Sequence, residues 1–161
     1  HKNVSKLRDE FSWEIYSGIL FNHESQFRKK DYLLMKIISK AKKISENKEN
    51  KITLGSLDYK RDWTYAGDTV DGIFQITNSN TKDDYVIGSG KLNSISNMAE
   101  IVFEYFNLNL QKYINIDPKL LRKNDPKIVG SDPSKLIIQT GWKNKFSFEE
   151  MIYKTIDNQF L

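Results

Sequence analysis

The residues best suited to chemistry gather where an apolar run stops. Ile15 to Phe21 is short, mostly apolar, aromatic and β-branched. That suits a strand covered on both faces, as in a parallel α/β sheet. Polarity then switches at once to Asn22-His23-Glu24-Ser25, with Arg28 close behind. Open α/β sheets bind ligands just outside the carboxyl ends of their strands. Asn22 to Arg28 therefore falls where such a fold puts a site. Arginine usage gives a second signal. Of 25 basic residues, four are arginine (Arg8, Arg28, Arg61 and Arg122) and the rest are lysine. The guanidinium grips phosphate or carboxylate with a planar fork, whereas lysine offers a point charge. A chain made soluble by lysine is expected to keep its arginines for such two-pronged contacts.

Other chemistries have little support. The histidines are His1 and His23, and there is no cysteine. No residues show metal-ligand spacing, so no metal is expected. Disulfide and thiolate chemistry is excluded. A Ser-His-Asp triad would lack any G-x-S-x-G element. Gly88-Ser89-Gly90 stands between a strand pattern and a helix pattern, as a dinucleotide fingerprint would. The third glycine position holds Asn93, however, and Leu92 after Gly90-Lys91 rules out a Walker loop. The stretch reads as a strand-to-helix turn. Lys29, Lys30, Lys36, Lys40, Lys42, Lys43, Lys48 and Lys51 are interrupted by acidic residues and lack interleaved aromatics. They read as a solvated helix face, and no nucleic-acid partner is expected. No run nears the roughly 18–20 apolar residues of a membrane span, and no signal-peptide pattern opens the chain. With no cysteine and a net charge of +4, the expected compartment is the cytoplasm, with no membrane partner.

The elements that must position these residues follow from periodicity. Asn3 to Phe11 reads as the last turns of a helix, and Asp31 to Ile44 as an amphipathic helix with Leu34, Ile37, Ile38, Ala41 and Ile44 on one face. Ser45 to Lys51 is a polar loop and Ile52 to Leu54 a short strand. Tyr65 to Thr77 is helical and carries Ala66, Val70, Ile73 and Phe74; Asp84 to Ile87 is a buried-type strand. Ser94 caps a helix to about Phe106, with Ile95, Met98, Val102, Phe103 and Phe106 inward. Tyr113 to Ile116 is a strand. Asp132-Pro133 opens a helix over Pro133 to Thr140, which Gly141 stops. Ser147-Phe148-Glu149-Glu150 is a capping box for the last helix. There is no repeat and no linker, so residues 1–161 form one region.

Three stretches, in order, carry a resemblance. The first is Gly18-Ile19-Leu20-Phe21-Asn22-His23-Glu24-Ser25 with Arg28. The second is Leu54-Gly55-Ser56-Leu57-Asp58-Tyr59-Lys60-Arg61-Asp62-Trp63. The third is Asp117-Pro118-Lys119-Leu120-Leu121-Arg122, running on to Ser131-Asp132-Pro133-Ser134-Lys135 and Gly141-Trp142. Together they resemble the GDP-mannose 4,6-dehydratases of the extended short-chain dehydrogenase/reductase superfamily. The resemblance covers nearly all of this chain and the C-terminal half of such an enzyme.

It implies an α/β fold class: late strands of a parallel Rossmann-type sheet, around Ile15–Phe21 and Asp84–Ile87, plus a small, mostly helical substrate-binding domain. The N-terminal dinucleotide-binding part would be absent, and the catalytic Thr or Ser, Glu, Tyr and Lys would lie upstream of His1. The implied reaction is conversion of GDP-mannose to GDP-4-keto-6-deoxymannose, with NADP as internal hydride carrier and the intact protein a homo-oligomer. By position, His23 and Arg28 match cofactor contacts. Asn22 matches a residue near the sugar and diphosphate, Lys36 one near the nucleotide, and Arg61 and Arg122 a clamp on the diphosphate. Read without the resemblance, Arg61 is equally a partner for Asp58 or Asp62, and Arg122 a surface charge. The chain departs from the family pattern at Gln26, Phe27, Met35, Thr64, Tyr65, Thr69 and Lys123. The alternative function is a non-catalytic nucleotide-sugar-binding or scaffold module.

Overall fold

Helical periodicity builds the larger of two cores. The computed structural model describes residues 2–80 and 82–158. Helix α2 (Leu33–Ser45) buries Leu34, Met35, Ile37, Ile38, Ala41 and Ile44, the face its spacing predicts. It packs on α4 (Ile95–Tyr105), whose N-cap Ser94 accepts the Asn97 amide. Helix α4 packs in turn on α7 (Phe148–Asp157), which opens with the predicted Ser147–Glu150 capping box. Strand β3 (Ile52–Leu54) and Trp63 complete this core. Each fully buried Leu or Ile is worth about 1.5–3 kcal/mol, so this side of the molecule supplies its own hydrophobic stabilisation.

The second core is small. Strand β1 (Ser17–Leu20) pairs in parallel with β5 (Asp84–Ile87), with Ser17 opposite Asp84 and Leu20 opposite Ile87. These are the two expected members of a parallel sheet. Ile76, Tyr85, Ile87, Leu136 and Trp142 fill the space between them, α3 (Ala66–Thr77) and α6 (Ser134–Thr140). Helix α1 (Lys2–Phe11) buries no residue of its own. Arg8 anchors it: Nε donates to the Ile15 carbonyl at 2.8 Å and Nη2 to Asp84 at 2.7 Å. One of the four arginines is thus structural. Helix α6 begins one residue later than expected, at Ser134, with Pro133 as its N-cap; Gly141 ends it at φ 72°.

Between the cores runs a mixed sheet that the sequence pattern does not announce. Strand β4 (Lys60–Tyr65) pairs in parallel with β2 (Asn22–Glu24) and β8 (Ile128–Val129), and antiparallel with β6 (Leu92–Ser94). A third pairing joins β3 in parallel to β7 (Ile114–Ile116), which follows the short helix α5 (Leu110–Tyr113). No helix among the described residues is long and apolar enough to cross a membrane.

One expectation about burial is corrected, and one helix buries its polar side. Strand β1 is not covered on both faces, because Ile19 and Leu20 remain 42% and 44% exposed. Helix α3 buries Asp68, Thr69, Gly72 and Ile76, while Val70, Ile73 and Phe74 face outward. The reason is the neighbour. Trp142 donates Nε1–H to the Asp68 carbonyl, and the Asp68 carboxylate accepts the Lys145 and Phe146 amides at 3.0 and 3.1 Å. The polar side of α3 is therefore turned inward. On α6, Ile138 is also open at 81%. Among the described residues β1 has a strand on one side only. Apolar patches and open edges promote association, so the dilute chain is expected to self-associate. A sharp, cooperative melt of a monomer in sedimentation-checked samples would contradict this.

Candidate functional site

The chain changes sheets in a single residue. Phe21 still donates its amide to the Ile87 carbonyl at 3.1 Å, beside β5. Asn22 then begins β2, opposite Trp63 on β4. The step from one sheet to the next opens a cavity of about 630 Å³ beside β2 and β4. Asn22, Arg28, Lys36, Arg61 and Arg122 all line it. They come from β2, the turn after it, α2, β4 and the segment following a 3₁₀ turn at Pro118–Leu120. Of the six residues expected to bind ligand, His23 alone is outside its wall. Its Nδ1 lies 3.0 Å from the carbonyl oxygen of Phe21, two residues before it.

Each wall has a local cause. Strand β3 ends at Leu54, whose carbonyl accepts the Asp117 amide at 2.9 Å. That bond carries the β7 end of the chain past Gly55. A Cβ at Gly55 would lie 3.2 Å from the Leu121 backbone nitrogen, so a side chain there would push the Arg122 loop away. Lys36 is held by a bond from Nζ to the Thr53 carbonyl at 3.1 Å.

Arg61 is more committed than its neighbours. Its Nη1 donates to the Lys60 and Lys127 carbonyls at 2.9 and 3.1 Å, and its Nη2 pairs with Asp125 at 2.8 Å. Its side chain is 13% exposed, and the guanidinium carbon lies 5.5 Å from the Tyr59 ring centre. The ion-pair partner is neither Asp58 nor Asp62, the two candidates adjacent in sequence. Strand alternation turns Asp62 to the opposite side from Arg61. There its carboxylate accepts the Ser89 amide at 2.9 Å, the Gly90 amide at 2.8 Å, and the Ser89 and Ser131 hydroxyls.

Asp62 also explains the glycine loop. The Ser89 and Gly90 amides, which a phosphate would need, are turned onto this carboxylate. A Cβ at Gly88 would lie 2.3 Å from Ser131 Oγ, so glycine is required by close packing of two loops around Asp62. The loop is a structural knot, in keeping with its reading as a turn.

Glu24 is a site residue that the sequence did not single out. It lines the same cavity and is 4% exposed. Its Oε2 lies 3.4 Å from Arg28 Nε, yet neither buried atom makes an aligned hydrogen bond. Burial pushes the Glu24 carboxyl up to about 7, with the Arg28 charge acting in the opposite direction. The signal available was its place inside the polar switch. Its burial depends on residues remote in sequence.

Several departures from the family pattern touch one another. Thr64 Oγ1 lies 2.9 Å from Thr69 Oγ1 in a buried pair. The Tyr65 hydroxyl donates to Gln26 Oε1 at 3.4 Å, and the Tyr65 ring packs edge-on against Phe146. These contacts lie outside the residues that line the cavity.

Comparison with known proteins agrees with the fold. A family model described as GDP-mannose 4,6 dehydratase matches residues 1–155. GDP-mannose 4,6 dehydratase 1 of Arabidopsis thaliana is 29% identical over 157 residues, which are 98% of this chain and 44% of that protein. The Homo sapiens GDP-mannose 4,6 dehydratase is 27% identical, over 95% of this chain and 46% of its own length. The chain thus spans a little under half the length of these relatives. In fold it is similar to RMD from Pseudomonas aeruginosa, solved with NADPH, at a TM-score of 0.85 and 16% identity over 98% of this chain and 51% of that one. It is also similar to a dTDP-glucose 4,6-dehydratase from Bacillus anthracis, solved with NAD, at a TM-score of 0.82 and 14% identity over 97% and 48%. The parallel β1–β5 pair and the helical lobe have the fold of the C-terminal portion of an extended short-chain dehydrogenase, and the chain belongs to the GDP-mannose 4,6-dehydratase family.

Proposed function

We propose that this chain is the substrate-binding part of a GDP-mannose 4,6-dehydratase, which converts GDP-mannose to GDP-4-keto-6-deoxymannose. The observation that supports this most is convergence. Asn22, Arg28, Lys36, Arg61 and Arg122, taken from five separate stretches, line one cavity. A nucleoside diphosphate needs charge-neutralising donors of fixed direction, and arginine forks supply them. In this reading Arg61 and Arg122 grip the diphosphate, Lys36 lies toward the nucleotide and Asn22 toward the sugar.

The family's chemistry uses NADP, which when bound supplies the hydride exchange. Arg28, whose buried Nε makes no hydrogen bond and whose side chain is 31% exposed, fits a phosphate on that side, and His23 stands on the strand just before it. The Gly88 loop does not fit a dinucleotide phosphate, because Asp62 occupies its amides. The phosphate cradle and the proton-transferring residues therefore come from outside this chain, from an N-terminal half that also covers Val70, Phe74 and Ile138. The chain alone holds and orients substrate without turning it over. The intact protein is a homo-oligomer.

Calorimetric titration tests the binding role. GDP-mannose is expected to bind the chain, GDP to keep most of that affinity, and mannose alone to show none. Absence of heat with both nucleotides would overturn the reading.

A further inference from the structure

A second cavity, of about 680 Å³, opens beside the Gly88 loop. It shares Trp63 with the arginine-lined cavity and no other residue. Its walls come from that loop, β6, α4, α6 and residues 142–149. The last of these walls is fixed from behind. The Trp142 indole donates to the Asp68 carbonyl, and the Lys145 and Phe146 amides donate to the Asp68 carboxylate at 3.0 and 3.1 Å. Asn144 stands between these anchors and lines the cavity. Its Oδ1 is buried and has no hydrogen-bond donor among the described residues. A buried acceptor without a donor is destabilising and calls for an explanation. A ligand that donates to it from the cavity is one.

The groups around Asn144 narrow the ligand's chemistry. Lys91 and Lys143 line the cavity, are exposed, and form no ion pair with a described residue. Lys145 lies 3.6 Å from Asp71, and Glu149 accepts the Tyr153 hydroxyl at 2.6 Å. Glu104 on α4 is the remaining carboxylate of the wall. Asn97 Nδ2 donates to Asn93 Oδ1 at 3.3 Å, which leaves the Asn93 amide hydrogens and the Asn97 oxygen for another partner. Ile101, Phe146 and Phe148 supply apolar surface.

We propose that this cavity binds a sugar phosphate, at a site separate from the one assigned to the nucleotide. Two lysines without acidic partners offer point charges to a phosphate monoester. Amides and a carboxylate exchange hydrogen bonds with ring hydroxyls, and the apolar residues cover the C–H face of the ring. Both halves of the ligand are needed. A bare phosphate dianion has no hydrogen to give Asn144, and a neutral sugar leaves the lysines unused. The volume is within the range of about 300–1,000 Å³ usual for small-molecule sites.

Calorimetric titration of the full chain with glucose 6-phosphate, mannose 6-phosphate, inorganic phosphate and glucose tests this. A hexose phosphate is expected to bind roughly tenfold more tightly than inorganic phosphate, and glucose to give no heat. Lys91→Gln combined with Lys143→Gln should weaken that binding by about tenfold or more without changing Tm, and Asn144→Ala should also weaken it. Arg122→Ala and excess GDP should leave it unchanged. In nitrogen-15 NMR the Asn144 side-chain amide, identified by its loss in Asn144→Ala, should shift with hexose phosphate. No heat with either hexose phosphate overturns the proposal. Equal affinity for inorganic phosphate reduces the site to one for simple anions and overturns it too. Binding abolished by excess GDP or by Arg122→Ala puts the ligand in the arginine-lined cavity, which overturns this site and leaves the nucleotide reading standing.

Discussion

Asp62→Ala is expected to cost the chain about 3–6 kcal/mol. The carboxylate is 1% exposed and accepts hydrogen bonds from two backbone amides and two hydroxyls. Bonds to a charged acceptor are worth roughly 1.5–3 kcal/mol each, and water is expected to replace some of them because Gly90 is exposed. The loss is a large part of the 5–15 kcal/mol that holds a typical domain folded. At about 2–4 °C per kcal/mol for a chain of this size, Tm should fall by roughly 10 °C or more. Asp62→Asn keeps one acceptor oxygen and should lie between the two. Ser89→Ala removes one hydroxyl donor and should cost about 1 kcal/mol. An Asp62→Ala melt within 1 kcal/mol of the parent would mean that the Ser89 and Gly90 amides have an alternative acceptor, and that the loop is not built around this residue.

The second large effect concerns affinity. Arg61→Ala should weaken GDP-mannose binding about ten- to a hundredfold, from the loss of a charge-assisted contact worth roughly 1.5–3 kcal/mol. Arg61→Lys keeps the charge without the fork and should recover only part of it. Arg61 also braces the chain through Lys60, Lys127 and Asp125, so the melt must be read beside the affinity. Asp125→Asn separates the two roles: it breaks the ion pair and leaves the guanidinium. A purely structural Arg61 would give the same binding as the parent in Arg61→Ala, with only Tm lowered. Unchanged affinity would remove the main support for a surviving diphosphate clamp.

The parts legible in the sequence are those whose cause is local. The face of α2, strands β3 and β5, the Ser94 cap and the Ser147–Glu150 capping box each follow from residues within one or two turns of each other. Strands β2, β4, β6 and β8 do not. They are short or mixed in polarity, and they exist because Arg61 meets Asn93 and Val129 across long loops. The inverted burial of α3 has the same origin, since Trp142 lies 74 residues beyond the Asp68 carbonyl it binds. Within the site, residue types and family spacing pointed to the arginines, but not to their partners. Arg61 finds Asp125, 64 positions away, in preference to its neighbours Asp58 and Asp62. Glu24 went unnoticed because a carboxylate in a polar stretch is ordinary until something buries it.

Strand β4 has a consequence for how this chain can change. Arg61, Asp62 and Trp63 follow one another and serve three places in turn: the cavity, the Gly88 loop and the larger core. Neighbouring residues of a strand face opposite sides, and a shift of one residue exchanges those sides wholesale. Inserting or deleting a single residue between Tyr59 and Trp63 would send the guanidinium toward the Ser89 and Gly90 amides and the carboxylate into the cavity. Donors would then face donors, and an acid would face the site for an anion. A buried pair such as Thr64 and Thr69 can absorb a change of side chain, but no partner elsewhere can compensate a change of length here. Gene variants with insertions or deletions should therefore be tolerated in the polar loop of residues 45–51 and eliminated from β4.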